Sequence, residues 1–198
     1  MALNFSEDYI LENRRVKLIP LRINHIKNLI EISKDESIWI YFFEHGKDLG
    51  SLTTYVESAI ENRKLGREYP FAIYDKRTGK YAGSTRFYDY SQDINTIKLG
   101  HTWLGKDFQG TGLNKNVKYL LFKFAFEKLK VERIGFGAYS DNLRSIAAMK
   151  SVGCKTEGFL RHMFPSINGI GRTDAILMSI LKYEWEESVK NKLKTKLI

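Results

Sequence analysis

The stretch QGTGLN, residues 109–114, lies between a predicted strand at Ile97 to Leu104 and a strongly periodic predicted helix at Lys115 to Lys130. Its two glycines allow the backbone to turn tightly and to come close to a ligand. The helix that follows points its unpaired N–H groups and its partial positive charge at that turn. This arrangement predicts a phosphate-binding loop, whereas a Gly-x-Gly pair without such flanks indicates an ordinary turn equally well.

The spacing of the loop residues separates it from other phosphate-binding loops. It reads Gln-x-x-Gly-x-Asn from Gln109 to Asn114. It therefore lacks both the Gly-x-Gly-x-x-Gly of a dinucleotide-binding loop and the Gly-Lys-Thr ending of a P-loop, and nucleotide hydrolysis is not indicated. Asn114 leaves two alternatives open, because its side chain either crowds the phosphates or caps the helix.

Length and composition predict one globular domain over residues 1–198. No apolar run approaches the roughly 20 residues that cross a bilayer, and the first residues lack a signal-peptide pattern, so we expect a cytoplasmic protein without a membrane partner. The single cysteine, Cys154, cannot form an intrachain disulfide. The net charge of +9 is spread along the chain and concentrates only at Lys190 to Lys196, so nucleic acid is not favoured as a partner.

Hydrophobic periodicity predicts an alternation of strands and helices. The strand–helix–strand order around the loop predicts a right-handed crossover and a parallel strand pair. Gly100 inside its strand predicts a bulge or a close backbone approach, and the residues after Trp185 are typical of a helix end and a mobile tail. A strand at Thr173 to Leu181 is apolar on both faces and is predicted to be central. The other predicted strands lie within Leu11 to Leu21, where Pro20 ends the strand, and at Phe71 to Tyr74, Tyr81 to Phe87 and Val131 to Tyr139. The other predicted helices are Asn24 to Ser33 with Asn24 as its cap, a segment after Thr53, and Ser140 to Ser151. Lys155 to Arg161 and an irregular link with Asn168-Gly169 come before the last strand.

Several short motifs occur together in the order and spacing of one family. They are Gly100 to Leu104, the glycine loop, Asn142-x-x-Ser145, Gly153, Glu157-Gly158-x-x-Arg161, Gly169 and Glu184-Trp185. In this combination the chain resembles the GNAT superfamily of N-acetyltransferases, and within it the RimJ/RimL type, the ribosomal-protein-alanine N-terminal acetyltransferases. The resemblance covers residues 11–186 and leaves 187–198 as a basic C-terminal tail. It implies an α/β (α+β) fold, in which a mixed, mostly antiparallel sheet of about seven strands is flanked by helices and two parallel central strands splay apart.

The resemblance also implies an acyltransferase that uses acetyl-CoA as cosubstrate and no metal. It places the backbone N–H of Trp103 or Leu104 at the thioester carbonyl. It places Asn142 on the pantetheine arm and Ser145 near the sulfur, where Ser145 is the candidate acid. It assigns the pyrophosphate to the loop residues Gln109, Gly110, Thr111, Gly112, Leu113 and Asn114.

Each of the other candidate side chains has a structural alternative. Asn142 alternatively caps the short helix, and Ser145 is alternatively a small residue in its first turn. His101 is a candidate base on the strand beside the cofactor, or an ordinary histidine of the core or surface. Related enzymes place a glutamate as candidate base where this chain has Phe164, so the resemblance leaves the base unassigned. Cys154 is interpreted as a packed thiol and not as a nucleophile.

The aromatic run WIYFF at residues 39–43 either packs in the core or lines a substrate pocket. The substrate-binding candidates are Trp39, Tyr41, Phe42 and Phe164. The leading hypothesis is acetyl transfer to a primary amine, of a protein N-terminus or a small molecule, by direct attack in a ternary complex, with a homodimer as one option. The alternative is a non-catalytic protein that retains the fold and senses CoA or contacts RNA through its basic surface.

Overall fold

The structure, a computed structural model, describes residues 2–197 and is organised around one sheet of eight strands in the order β1-β2-β3-β4-β5-β6-β8-β7. The strands are β1 (Leu11–Glu12), β2 (Val16–Pro20), β3 (Glu68–Asp75), β4 (Lys80–Ser91), β5 (Thr96–Leu104), β6 (Arg133–Tyr139), β7 (Lys155–Pro165) and β8 (Arg172–Leu181). The helices are α1 (Ile26–Ser33), α2 (Leu49–Lys64), α3 (Leu113–Lys123), α4 (Leu143–Ser151), α5 (Lys182–Glu184) and α6 (Lys190–Lys194). None of the helices within residues 2–197 combines the length and the hydropathy needed to cross a membrane.

Two ends of helices differ from the sequence prediction. Asn24 does not cap a helix, because it lies inside a short 3-10 turn, Ile23–His25, that precedes α1. Helix α2 begins at Leu49, before Thr53, because the Asp48 carboxylate accepts a hydrogen bond from the Ser51 N–H at 2.9 Å. An aspartate in this position satisfies one of the unpaired N–H groups of the first turn.

The sheet has one more strand than the predicted seven, because Leu11–Glu12 pairs antiparallel with β2 as a short strand of its own. Strand β8 was predicted to be central and lies between β6 and the edge strand β7, so it has a neighbour on each side. Two neighbours and helices against the sheet explain its apolar residues on both faces.

The predicted parallel pair is confirmed and is short. Strands β5 and β6 pair in parallel through only three residues of β5, which are Thr96, Ile97 and Lys98. Beyond Lys98 the two strands have no register partners in common, whereas β4 pairs with β5 as far as Leu104. The sheet therefore opens between β5 and β6 at their carboxyl ends, as the splayed pair of the predicted fold requires.

The predicted bulge lies in β5, one residue after Gly100. Gly100 is opposite Arg86 and Trp103 is opposite Ser84, so two residues of β5 face the single residue Thr85 of β4. His101, the first of the two, adopts a left-handed conformation with φ +47°. A non-glycine residue in this region is uncommon, and bulges redirect a strand and its backbone groups.

Each face of the sheet carries its own hydrophobic core. Helices α1 and α2 cover one face around Trp39, Tyr55 and Trp103, and α3 and the C-terminal helices cover the other. The residues after Trp185 are helical as far as Lys194 and not a free tail, because Leu193 is buried against the second core. Burial of this side chain holds the C-terminal segment on the sheet.

Candidate active site

The glycine loop has the backbone conformation that its sequence predicts. Gly110 and Gly112 lie at φ +70° and +82°, a region that glycine adopts without steric cost. Gly112 occupies the N-cap position of α3, and the Thr111 hydroxyl donates a hydrogen bond to the Phe108 carbonyl at 2.8 Å. The loop is therefore a rigid turn that leads directly into the first turn of a helix.

The backbone N–H groups of this loop are the main chemical feature of the site. Those of Gly110, Thr111, Gly112 and Asn114 donate to no acceptor within residues 2–197. The N–H of Leu113 reaches only the Thr111 hydroxyl, at 3.4 Å. Together with the positive end of the α3 dipole, these groups form a cradle for an anion with several oxygens.

Asn114 does not cap α3, since Gly112 is at the cap position and makes no side-chain bond. Its Oδ1 is buried and has no partner within the described residues. The structure therefore does not show the alternative in which Asn114 caps the helix. The backbone N–H of Asn114 is itself one of the free donors of the loop.

The Gln109 side chain ties the loop to its surroundings. Its Nε2 donates to the Leu104 carbonyl at 2.8 Å, and its Oε1 accepts from Arg144 at 3.1 Å. Arg144, in the first turn of α4, also donates to the Ser37 carbonyl at 3.4 Å. Arg144 is not recognisable from the sequence, because its two partners lie in segments far from it in the chain.

The first turn of α4 lies beside the opening between β5 and β6, which we call the gap. Asn142 caps this helix, with its Oδ1 accepting from the Ser145 N–H at 3.1 Å, which is the structural alternative that its residue type favours. The cap uses only the amide oxygen, so the amide N–H groups of Asn142 are left for another acceptor. The Ser145 hydroxyl has no hydrogen-bond partner in the part of the chain that the structure describes.

Strand β5 contributes backbone groups and not side chains at Trp103 and Leu104. Both side chains are buried, and Trp103 packs against Trp39 with ring centroids 5.1 Å apart. The backbone groups of these residues that point away from β4 have no partner on β6. Gly105 donates to Ala82 of β4, so by the alternation of the strand the Leu104 N–H points away from β4 and can donate to a carbonyl oxygen that enters the gap.

His101 is accessible to solvent at the bulge, while the surrounding strands crowd its ring. The ring packs edge-on against Tyr88 with centroids 5.4 Å apart. Desolvation by these surroundings, with a smaller contribution from the charge of Arg86, lowers the pKa of His101 to about 4. His101 is therefore neutral at pH 7 and a weak base.

The four aromatic candidates separate into two groups. Trp39 is 1% exposed and its Nε1 donates to the Ser33 carbonyl at 2.7 Å, and Phe42 packs on its ring, so both belong to the core. Tyr41 and Phe164 instead join Phe43 and Tyr139 in what we call the aromatic cluster.

The aromatic cluster lies at the end of β6, next to α4. Its rings are in contact pairwise, with centroids 4.4 Å apart for Tyr139 and Phe164 and 5.4 Å apart for Tyr41 and Tyr139. The Tyr41 hydroxyl donates to the Asp141 carbonyl at 3.2 Å, which fixes the cluster one residue from the α4 cap. Phe43 is 67% exposed, so the cluster presents apolar ring surface to solvent.

Cys154 is buried between α4 and β7, and burial raises the pKa of its thiol to about 12. It is therefore a protonated thiol at neutral pH. No group of three or more histidine, cysteine or carboxylate side chains within residues 2–197 is placed to hold a metal ion.

Comparisons with known proteins agree with this geometry. Residues 15–155 match the family described as "Acetyltransferase (GNAT) domain". A Bacillus subtilis (strain 168) protein named "Putative ribosomal N-acetyltransferase YdaF" is 28% identical over 155 residues, which is 75% of this chain and 79% of that protein.

Two solved structures show the same fold. A GCN5-related N-acetyltransferase from Brucella melitensis superposes with a TM-score of 0.86 at 23% identity, over 96% of this chain and 85% of that chain. Mycobacterium smegmatis RimJ in complex with CoA-disulfide superposes with a TM-score of 0.77 at 19% identity, over 95% of this chain and 93% of that chain. The agreement extends over nearly the whole chain.

Proposed function

We propose that the chain, which belongs to the acetyltransferase (GNAT) family, transfers an acetyl group from acetyl-CoA to the α-amine of a protein N-terminus within a ternary complex. One observation carries the proposal. The loop of residues 110–114 leaves four backbone N–H groups without acceptors at the N-terminus of α3, beside the gap between β5 and β6. A pyrophosphate is the part of acetyl-CoA that such a cradle fits.

The cofactor would lie along the gap with each part next to a matching group. The pyrophosphate would accept hydrogen bonds from the loop N–H groups, and Asn114 would donate from its amide. The Asn142 amide, whose oxygen is used in the helix cap, would donate to a carbonyl of the pantetheine arm. The acetyl carbonyl would accept from the backbone N–H of Trp103 or Leu104.

The reaction then requires little from side chains. The amine nitrogen attacks the thioester carbonyl carbon, the carbonyl electrons move to oxygen, and a tetrahedral oxyanion forms at the N–H groups of β5. The C–S bond breaks as the carbonyl re-forms, and the amine loses its proton to solvent. The CoA thiolate leaves toward Ser145, whose hydroxyl donates a proton to it or whose helix N-terminus stabilises its charge.

The electrostatics favour an acceptor that loses its proton easily. His101, with a pKa of about 4, can accept a hydrogen bond from the amine but is a weak base. An α-amine with a pKa of about 7.7–8.0 is partly neutral at pH 7.5, whereas a lysine at about 10.4 is not. The Bacillus subtilis relative carries the word "ribosomal" in its name, which is consistent with a protein acceptor.

The aromatic cluster would provide a contact surface for the side chains of the acceptor peptide. Its exposed rings stand next to the α4 cap, so a peptide with its α-amine in the gap would lay its first side chains across Phe43 and Phe164. Apolar and aromatic side chains gain the most from such a surface. We therefore expect peptides with apolar residues next to the free α-amine to be preferred.

Thiol release from acetyl-CoA tests the proposal. The expected substrates are peptides with a free α-amine, and the matched control is the same peptide with a blocked α-amine and a free lysine. Turnover confined to the free α-amine supports the proposal. Turnover only with the lysine peptide, a polyamine or an aminoglycoside would contradict the acceptor class. Tight CoA binding without turnover on any amine would favour the non-catalytic alternative.

A further inference from the structure

Lys118 is a buried charge in the part of α3 that faces the sheet. The residue is 5% exposed, and its ammonium forms no ion pair with any carboxylate of residues 2–197. Its Nζ lies 5.9 Å from the centroid of the Phe136 ring on β6 and 2.9 Å from the Thr102 hydroxyl on β5. Lys118 thus stands where β5 and β6 separate.

A chain of hydrogen bonds connects this ammonium to the bulge of β5. Lys118 donates to the Thr102 Oγ1, and the Thr102 and Thr85 hydroxyls are 2.7 Å apart. Both hydroxyls lie 3.4 Å from the Gly100 carbonyl oxygen. The chain of hydrogen bonds spans the bulge, because Thr85 is the one residue of β4 that faces two residues of β5.

A lysine in this position is costly for the fold. Burying an ammonium without a counterion is unfavourable, and a methionine of similar length would fill the same space without that cost. The hydroxyl chain uses one of the three donors of the ammonium, so it does not by itself account for the charge. A costly buried charge beside a gap in the sheet is typical of a functional group.

We infer that Lys118 is a positioning residue for acetyl transfer: its ammonium, acting through Thr102 and Thr85, holds the β5 bulge so that the backbone N–H of Leu104 points at the thioester carbonyl. The inference rests on the proposed function, since it concerns the same strand. Lys118 itself touches neither substrate in this account.

The surroundings determine which form of Lys118 is present. Desolvation lowers the pKa of Lys118 to about 8. The titratable group that faces it is the Cys154 thiol, which stays protonated because its pKa is about 12. From β5 and β4 it is faced by the hydroxyls of Thr102 and Thr85, and from β6 by the Phe136 ring. The ammonium is therefore the main form at pH 7 and the amine the main form at pH 9.

The sharpest test breaks the hydroxyl chain without moving the charge. Thr102→Val has the same shape as threonine and lacks the hydroxyl, whereas Thr102→Ser keeps it and is the matched control. We expect Thr102→Val to lower kcat by about tenfold with acetyl-CoA affinity unchanged, and Thr102→Ser to stay within about threefold of the wild type. Equal activities of the two variants, or a change in acetyl-CoA affinity alone, would overturn the inference.

The pH dependence gives a second readout. Lys118→Arg keeps a positive charge at every pH, so the ratio of wild-type to variant kcat/KM cancels the titration of the acceptor amine. This ratio is expected to fall by about tenfold between pH 7 and pH 9, as the wild-type ammonium loses its proton. A constant ratio, or a ratio that rises with pH, would contradict a role for the ammonium. If Lys118→Arg does not fold, the Thr102 pair decides the question.

A spectroscopic measurement separates this inference from the proposed function. The carbonyl stretch of ¹³C-labelled acetyl-CoA, bound without an amine, is expected to shift to lower frequency on the wild type and to shift less on Thr102→Val. A wild type that binds and polarises the thioester but acetylates no amine refutes only the proposed acceptor. A full shift on Thr102→Val refutes only the inference. A wild type that does not bind acetyl-CoA refutes both.

Discussion

Strand β5 pairs with its two neighbours over different lengths. On one side β4 pairs with it from Thr96 to Leu104, with two register shifts, and on the other side β6 pairs with it only as far as Lys98. We call these the closed side and the open side. Side chains and tight backbone contacts fix the closed side, whereas the open side offers backbone groups that a sheet normally satisfies. The difference indicates that the site consists mainly of backbone groups left unpaired where β6 separates from β5, and not of reactive side chains.

The closed side sets the geometry of the open side. Gly83 of β4 lies at φ +151°, and a Cβ there would lie 2.0 Å from the Trp103 carbonyl oxygen, so only glycine allows this approach. The contact fixes the β5 backbone on the far side of the bulge, while the Thr85 and Thr102 hydroxyls fix it across the bulge. The unpaired groups are thereby held in place before any substrate binds, which reduces the cost of orienting them.

The largest expected effect comes from closing the anion cradle on the open side. Gly112→Val places a branched side chain at φ +82°, beside the free N–H groups of the loop. We expect acetyl-CoA affinity measured by calorimetry to fall by at least ~100-fold, because the pyrophosphate can no longer approach the backbone. The strained φ should also cost roughly 1–2 kcal/mol of stability, to be checked by thermal unfolding.

Gly158→Ala is the matched control for that variant, since Gly158 lies on β7, has open space around it and does not have a positive φ. It should leave both affinity and stability nearly unchanged. Unchanged acetyl-CoA affinity in a folded Gly112→Val protein would show that the loop N–H groups do not bind the pyrophosphate.

The next effect concerns the wall that faces β5 across the gap. If Ser145 protonates the leaving thiolate, Ser145→Ala should lower kcat by ~10²-fold with little change in acetyl-CoA affinity. Ser151→Ala, at the other end of α4, removes a hydroxyl that donates to the Ala148 carbonyl and serves as the control. A loss below about threefold in Ser145→Ala would mean that the N-terminus of α4 is sufficient to stabilise the thiolate.

The sequence predicts the open side in outline, for reasons that particular residues show. Gly110 and Gly112 are recognisable because their left-handed conformations demand glycine, and the helix after them is strongly periodic. The parallel pairing of β5 and β6 follows from the strand–helix–strand order. The point at which β6 leaves β5 is not predictable in this way, because it depends on what fills the gap, and Lys118 in that gap was not identified from the sequence.

Contacts between distant segments explain the other differences. Tyr41 and Asp141 are 100 residues apart and meet only in the fold, so the aromatic run could not be divided into core and cluster from its letters. Phe43 and Tyr139 were missed as candidates for the same reason. The run begins at Trp39, which is buried in the core, and ends at Phe43, which is exposed to solvent, and no local sequence pattern distinguishes them.

A smaller effect is expected at the mouth of the open side. Phe43→Ala removes an exposed ring from the aromatic cluster, so KM for an apolar N-terminal peptide should rise by roughly 3–10-fold, the scale of one aromatic contact of about 0.5–1.5 kcal/mol. KM for acetyl-CoA should not change. Phe159→Ala, which removes another exposed ring, on β7 and outside the cluster, is the control. Equal responses of the two variants would show that the cluster does not contact the acceptor.

The smallest effect is expected at Cys154, and it tests whether the open side acts without a covalent intermediate. The thiol is buried, its pKa of about 12 leaves almost no thiolate at pH 8, and Lys118, whose charge favours the thiolate, does not offset that burial. Attack by Cys154 on the thioester would need this thiolate, so direct transfer to the amine is the easier route. Cys154→Ser and Cys154→Ala should each keep kcat within about threefold, and initial rates should give intersecting lines when both substrates are varied. An acetylated Cys154 trapped by acid quench would contradict direct transfer. Parallel lines in the double-reciprocal plots of the wild type would contradict it as well, because they indicate a covalent intermediate.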